Sequence, residues 1–330
     1  MRGDNARNWD FKKKSIKIKT RKKKLFNGYR ELYYLNAQDK NQIRNLIPNM
    51  IAKNMGIITP FSRLVELHLN GEYLGVYLEV YSTDELFLRK NKSMPVSSYK
   101  FSVDLDWLFY SFEHGLLNPY LWSRQSKNNM DEGDDRPLLI NFLNKFNQNN
   151  VLFKEFIDFD EWSKYEAYRL ISGDDHSNAL NILKLFEDNH KGKISNILWD
   201  PIIDYEKYDE SYLTRCNYSI PCKLLEDPLF RYKRMKFVYQ FIFEERVYEK
   251  TINQFKNQEE KISNSLSLDR NRLQFVENSR DFLKDFFLPK DSIKKEISKV
   301  YSYLNYNLEF FKGIFNKPLQ AKWFQDKNII

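Results

Sequence analysis

Polar and apolar positions alternate cleanly at Val65, Leu67 and Leu69, with Glu66 and His68 between them. Asn70-Gly71 follows, the strongest short turn signal, and Tyr73 to Val80 returns as the partner strand. A second hairpin is predicted from the apolar runs Ile182 to Phe186 and Ile194 to Trp199, parted by a polar turn around Asn189 to Gly192. Pro201 stops its second strand just after Asp200. Ser15 to Lys19 also alternates, so Ile16 and Ile18 share one strand face while Lys17 and Lys19 share the other. Helical spacing begins at Asp39 to Met55, where Ile43, Leu46, Ile47, Met50 and Ile51 recur and Gly56 suits the stop. Pro48 predicts a kink or break there. Leu138 to Phe146 and Val151 to Phe156 read as helices, and Asp160 before Trp162 and Tyr165 reads as a helix start. Past Leu224 the pattern is mostly helical. Ile293, Ile297, Val300, Leu304, Leu308 and Phe311 form a long stripe behind an Asp291-Ser292 cap. Strands early and helices late predict an α+β chain.

Composition narrows the class. The 330 residues suit two lobes better than one core, and 42% hydrophobic residues are ample for burial. No apolar run approaches the roughly 20 residues of a membrane helix. The basic N-terminus lacks a following apolar region, so no secretory signal is read and the compartment stays open. Cys216 and Cys222 could bridge in an exported chain; two free thiols are expected in a cytosolic one. The net charge of +8 gathers near the start, where Lys12, Lys13, Lys14, Lys17, Lys19, Arg21 and Lys22 to Lys24 crowd together. Such a cluster attracts phosphate; the plain alternative is a solvated strand edge carrying protective lysines.

Candidate chemistry concentrates between Ile171 and Asp204. After the small-residue break Ser172-Gly173 come Asp174, Asp175 and His176, then Asn178 and Asn181, and the second hairpin delivers Asp200 at its end. Phosphoryl transfer asks for an Asp that orients the attacking hydroxyl, then an Asn and a second Asp that hold a divalent ion. Asp175, Asn181 and Asp200 supply those types in that order. The plain alternative makes Asp174 and Asn178 caps and Asp200 a turn residue. His68 reads as a surface histidine, and the acidic run Asp131 to Asp135 as a solvated turn. A general acid/base hydrolase using Asp174 and Asp200 finds no nucleophile nearby.

Several stretches, in order, resemble the spore-coat protein H (CotH) kinase family, atypical kinases related in fold to eukaryotic protein kinases. Arg2-Gly3-Asp4-Asn5 resembles its RGN-type opening, and Lys13 to Lys19 its KKSWRIKF strand. Leu64 to Val80 resembles the NGEYxGVY hairpin, and Tyr99-Lys100 the LYK element. FIDFDEWSKYEAYRLISGDDH resembles the helix leading to the catalytic loop, Ile197 to Pro201 the IPWDxD strand, and Pro221 to Lys233 a C-terminal segment. The resemblance implies a bilobal atypical protein-kinase-like fold. Its β-rich N-terminal lobe would be residues 1–100, lacking a first strand, and its α-rich C-terminal lobe residues 101–330, carrying the hairpin 171–204.

It also implies a kinase that uses ATP with Mg²⁺ or Mn²⁺ and phosphorylates Ser or Thr of a protein or cell-surface acceptor. Asp175 orients the hydroxyl, with Asp174 competing for the role, and Asn181 and Asp200 hold metal. Lys17 or Lys100 approaches the phosphates. Where the family carries a carboxylate after GVY this chain has Tyr81, so Glu79, two residues earlier on the same strand face, is the expected substitute. Pro201 interrupts the WDxD pattern, and the next acid is Asp204. Two other classes are an inactive kinase-like scaffold of a coat or envelope layer, and a binder of anionic polymer through the basic N-terminus. Nucleic acid is not expected as a partner, because the gathered acids would repel its backbone.

Overall fold

The computed structural model describes residues 13–36, 40–92, 97–101, 117–125, 137–148, 152–174, 176–178, 183–188, 190–205, 208–216, 219–244, 247–269 and 291–317. Within them the chain is α+β, built on two four-stranded antiparallel sheets. The first contains β1 (Ile16–Lys19), β2 (Glu31–Leu35), β3 (Ser62–Leu69) and β4 (Glu72–Tyr81) in the order β1-β2-β4-β3. The β3–β4 hairpin turns at Asn70-Gly71 as the alternation predicts. Both residues take positive φ, 52° and 85°, which Asn and Gly tolerate. His68 is exposed, 3.8 Å from Glu66 Oε2.

Helix α1 (Lys40–Asn54) lies between β2 and β3 and buries Ile43, Leu46, Ile47 and Ile51 against the sheet. It runs through Pro48 without the expected break. Proline removes the amide that would bond the carbonyl four residues back, that of Arg44. Here the Ile203 amide donates to that carbonyl at 3.3 Å, so the orphan acceptor is satisfied from another segment.

The second sheet, in the order β6-β5-β7-β8, contains β5 (Ser97–Phe101), β6 (Trp122–Arg124), β7 (Lys184–Asp188) and β8 (Lys193–Ile197). β7 and β8 are the predicted second hairpin, with Asp188 opposite Lys193. β5 spans the expected lobe boundary at residue 100. The sheet's two faces differ. Tyr99, Phe101, Leu185 and Ile194 pack against α3 (Pro137–Asn147) and α4 (Phe153–Phe156), while Phe186 and Ile197 pack against Leu32 and Tyr81 of the first sheet and Phe87 of α2 (Glu85–Lys90).

Helix α5 (Phe159–Ser172) is sheathed on nearly every side, and its Trp162 Nε1 donates to the Ile194 carbonyl at 2.9 Å. The start signal read at Asp160 belongs to Asp158, whose side chain accepts from the amides of Asp160 and Glu161. Asp160 instead sits in the first turn, where a negative charge also suits the helix dipole. Around α5 gather α6 (Ser219–Leu224), α7 (Pro228–Phe243) and α9 (Asp291–Asn316), the last burying Ile297, Val300, Leu304 and Phe311 of its stripe, while α8 (Val247–Leu268) packs on α1. None of the described helices is long and apolar enough to cross a membrane.

Of the two states left open for Cys216 and Cys222 the structure shows the disulfide, their Cα atoms 5.2 Å apart. One expectation changes. Lys13 does not belong to an open basic surface. Its ammonium is buried, 2.6 Å from Asp269 Oδ2 and 2.7 Å from the Val76 carbonyl, while the Val76 amide donates to the same Asp269 oxygen at 2.9 Å. Gly75 (φ 112°) permits this: a Cβ there would lie 2.5 Å from Asp269 Oδ2. The acidic run 131–135 lies outside the described residues.

Candidate functional site

The site is assembled where α5 ends, β8 ends and α1 passes over both. Gly173 closes α5 in the left-handed region (φ 66°), and the hydroxyl of Tyr303 on α9 lies so close that any side chain there would collide with it. The turn sends Asp174 inward. Its carboxylate is fully buried and accepts from Tyr168 Oη at 2.7 Å, the Ser177 amide at 3.0 Å and the Ile202 amide at 3.1 Å. Burial pushes this carboxyl above the usual carboxylate range, and the hydrogen bonds from Ser177, Tyr168 and Ile202 only partly offset it. A carboxylate so enclosed pins the 172–178 turn to the 200–204 segment. That pin is reinforced by the Asp204 amide, which donates to the Gly173 carbonyl at 3.2 Å.

Asp200 is placed differently. It follows Trp199 past the end of β8, takes a left-handed backbone (φ 52°), and keeps its side chain 39% exposed. Asn45 Nδ2 on α1 donates to Asp200 Oδ1 at 3.2 Å and to the Pro201 carbonyl at 2.7 Å. His176 Nε2 stands 3.6 Å from Asp200 Oδ2. Burial alone would lower the imidazole pKa; the Asp200 carboxylate, with Asp174 and Asp204 behind it, outweighs that and raises it above its ordinary value. Arg44, one residue before Asn45, donates through Nε to the Ile203 carbonyl at 2.7 Å. Helix α1 therefore grips the segment that carries Asp200 at three points, Asp200, Pro201 and Ile203.

The cations fall into two groups. On the face of the second sheet turned toward the first, Lys100 of β5 stands directly opposite Lys184 of β7. Opposite residues of an antiparallel pair share a face with Cβ atoms about 5 Å apart. Lys184 is buried; its ammonium donates to Thr83 Oγ1 at 2.7 Å and lies 3.6 Å above the Trp199 ring. The Trp199 ring meets Tyr33 edge-on, and Lys17 lies 5.4 Å over Tyr33. Lys17 itself is paired with Glu31 at 2.7 Å, and Lys19 reaches the same carboxylate at 3.0 Å.

Glu79, on the β4 face it shares with Tyr81, is buried between Arg63 Nε at 2.6 Å and Tyr34 Oη at 3.1 Å. Asp175 and Asn181 lie outside the described residues. Thus the chain brings Asp174, His176 and Asp200 together and sets Lys184 beside Trp199, the neighbour of Asp200. Among the described residues no three His, Cys, Asp or Glu side chains are grouped as a metal cluster.

Asn45 and Lys184 were not singled out from the sequence. Lys184 left a trace, a charge inside the apolar run of β7, whereas Asn45 lies on the face of α1 opposite its apolar stripe and left none.

The Glu31 pair makes a prediction. Burial raises its carboxyl pKa, but the ammonium groups of Lys17 and Lys19 overcome this and hold it at about 2, below the ordinary 4.5. A folded-state pKa that is depressed stabilises the fold above the unfolded value, and the contribution is lost as pH falls through the folded one. Urea unfolding of Glu31→Gln and the parent chain should therefore differ at pH 6, and the difference should shrink between about 4.5 and 2. A constant gap would mean that the pair contributes nothing electrostatic.

Comparison with known proteins supplies the family. The model of the CotH kinase protein family matches residues 1–310. The inner spore coat protein H of Bacillus subtilis (strain 168) is 27% identical over 208 residues, 60% of this chain and 56% of that relative. The chain thus spans little more than half the length of the curated relative it matches.

Proposed function

We propose that this chain, which belongs to the CotH kinase protein family, transfers the γ-phosphate of ATP to Ser or Thr hydroxyls of a protein or cell-surface acceptor. It would do so as two lobes, residues 1–100 and 101–330, with the site between them. The observation that carries the reading is Asp200. It is an accessible carboxylate at a strand end, oriented by Asn45 and set beside the turn that follows α5.

Asp200 fits a divalent ion by its chemistry. It is a hard oxygen donor, partly exposed, whose position is fixed from outside by an amide, and Mg²⁺ or Mn²⁺ takes such donors readily. Asn181 would be the second protein ligand. When bound, such an ion neutralises charge on the phosphates.

The chain's own side chains divide the remaining work. Asp174, enclosed by three donors, serves as the pin of the loop, which supports giving the orienting role to Asp175. Asp175 accepts the proton as the acceptor oxygen forms its bond to the γ-phosphorus and the bond to the β-bridging oxygen breaks, releasing ADP. The face shared by Lys100 and Lys184, next to Trp199, supports Lys100 as the cation toward the phosphates, because Lys17 is committed to Glu31. Glu79, held by Arg63 and Tyr34, is a brace of the first sheet in this reading.

Labelled γ-phosphate should enter a generic protein acceptor in the presence of Mn²⁺ and fail to enter without a divalent ion. Absence of incorporation under both conditions overturns the enzyme. The alternative is then a kinase-like scaffold within a coat layer, a reading favoured by the name of the Bacillus relative.

A further inference from the structure

A cavity of about 290 Å³ opens between the C-terminal half of α1, the start of β3 and α8. Its walls carry Lys53, Phe61, Arg63, Asn257 and Gln258, with Asn49 at its inner end. The Lys53 ammonium lies 5.1 Å and the Arg63 guanidinium 5.8 Å from the centre of the Phe61 ring, so two cations converge on one aromatic ring. Among the described residues the Lys53 ammonium meets no carboxylate, and the side-chain amides of Asn257 and Gln258 have no hydrogen-bond partner. Arg63 commits Nε to Glu79 and lines the cavity beside Lys53. With Glu79 counted, the two cations leave one uncompensated positive charge.

We infer that this cavity is a docking site for an acidic side chain of an extended peptide, and that its occupant steadies the segment carrying Asp200. One net positive charge matches one carboxylate, which Arg63 and Lys53 can hold together. Carboxamides offer both a donor and an acceptor, which suits the peptide groups flanking that side chain. The volume, near the lower end of ordinary ligand pockets, admits one side chain and its neighbouring amides.

The link to Asp200 is a short hydrogen-bond series. Thr59 Oγ1 donates to Asn49 Oδ1 at 2.9 Å, Asn49 Nδ2 donates to the Asn45 carbonyl at 2.9 Å, and Asn45 Nδ2 reaches Asp200. A peptide that ties Lys53 of α1 to Arg63 of β3 tightens the end of the helix from which that series starts.

The probe is the peptide acetyl-Ser-Gly-Glu-Gly-Ser-amide, with Gln in place of Glu as its control, titrated into the full chain and followed by NMR. The Glu peptide should bind at least tenfold more tightly than the Gln peptide. Lys53→Met and, separately, Gln258→Glu should each remove that preference while thermal unfolding shows both variants folded. Equal binding of the two peptides, or undiminished preference in both variants, overturns the site. Tighter binding of a phosphoserine peptide than of the Glu peptide overturns the carboxylate assignment.

Hydrogen exchange gives the second readout. The Glu peptide should slow the amides of residues 45–54 and 202–204, and no change there overturns the coupling to Asp200. Neither readout needs turnover. A chain that docks the peptide yet transfers no phosphate keeps this site and loses the proposed reaction.

Discussion

Asp200→Ala is expected to abolish metal-dependent ATP binding and leave the chain folded. Its carboxylate is an exposed oxygen donor of the site, and losing it as the proposed direct ligand should cost more than the 10–100-fold typical of a metal's outer partners. The fold should survive because the side chain is 39% exposed and the packing of its segment rests on neighbours, with Asp174 bonding the Ile202 amide and Arg44 the Ile203 carbonyl. The left-handed backbone at residue 200 adds about 1 kcal/mol of strain for alanine. Asp200→Asn removes the charge without that strain and should behave alike.

Asp175→Ala should separate from both by binding Mn²⁺-ATP normally while transfer falls roughly 10²–10⁴-fold. Isothermal titration with Mn²⁺-ATP, beside a phosphate-incorporation assay, reads the two effects separately. Equal activity in all variants would reject the assignments. If a folded Asp174→Ala is inactive and Asp175→Ala active, the two aspartates exchange roles.

The largest loss of stability is expected from Asp269→Ala. It would take the carboxylate from the buried Lys13 ammonium and from the Val76 amide at once. Breaking a buried ion pair from one side costs about 3–5 kcal/mol, whereas replacing both partners by apolar groups is often neutral. Denaturant midpoints should therefore fall sharply for Asp269→Ala and recover in part in Lys13→Met with Asp269→Leu, the remainder being the Val76 amide's lost acceptor. A double variant as unstable as the single one would show that shape at Gly75, not charge, decides the contact. The outcome bears on architecture, because this pair ties the chain's early segment to the end of α8.

The elements that sequence disclosed best are those with local causes. The Asn70-Gly71 turn, the β7–β8 hairpin and the stripe on α9 follow from periodicity and turn chemistry within a few residues. The errors arise where a distant partner decides. Nothing near Lys13 announces Asp269, so a buried residue was read as part of a surface cluster. Asp158 and Asp160 differ as caps only by where the backbone leaves the helical region, which composition does not reveal. The separation of Asp174 from Asp200, one enclosed and one open, depends on Tyr168, Ile202 and Asn45, which come from three different stretches.

Pro48 shows how a vacancy can serve as an address. Any other residue at that position would restore an amide to α1, and the helix would then compete with Ile203 for a single carbonyl oxygen. The imino acid withdraws the helix from that contest, so the loop beyond β8 has a reserved landing point at Arg44. Fidelity of the loop's seating is thus written one turn further along a different element.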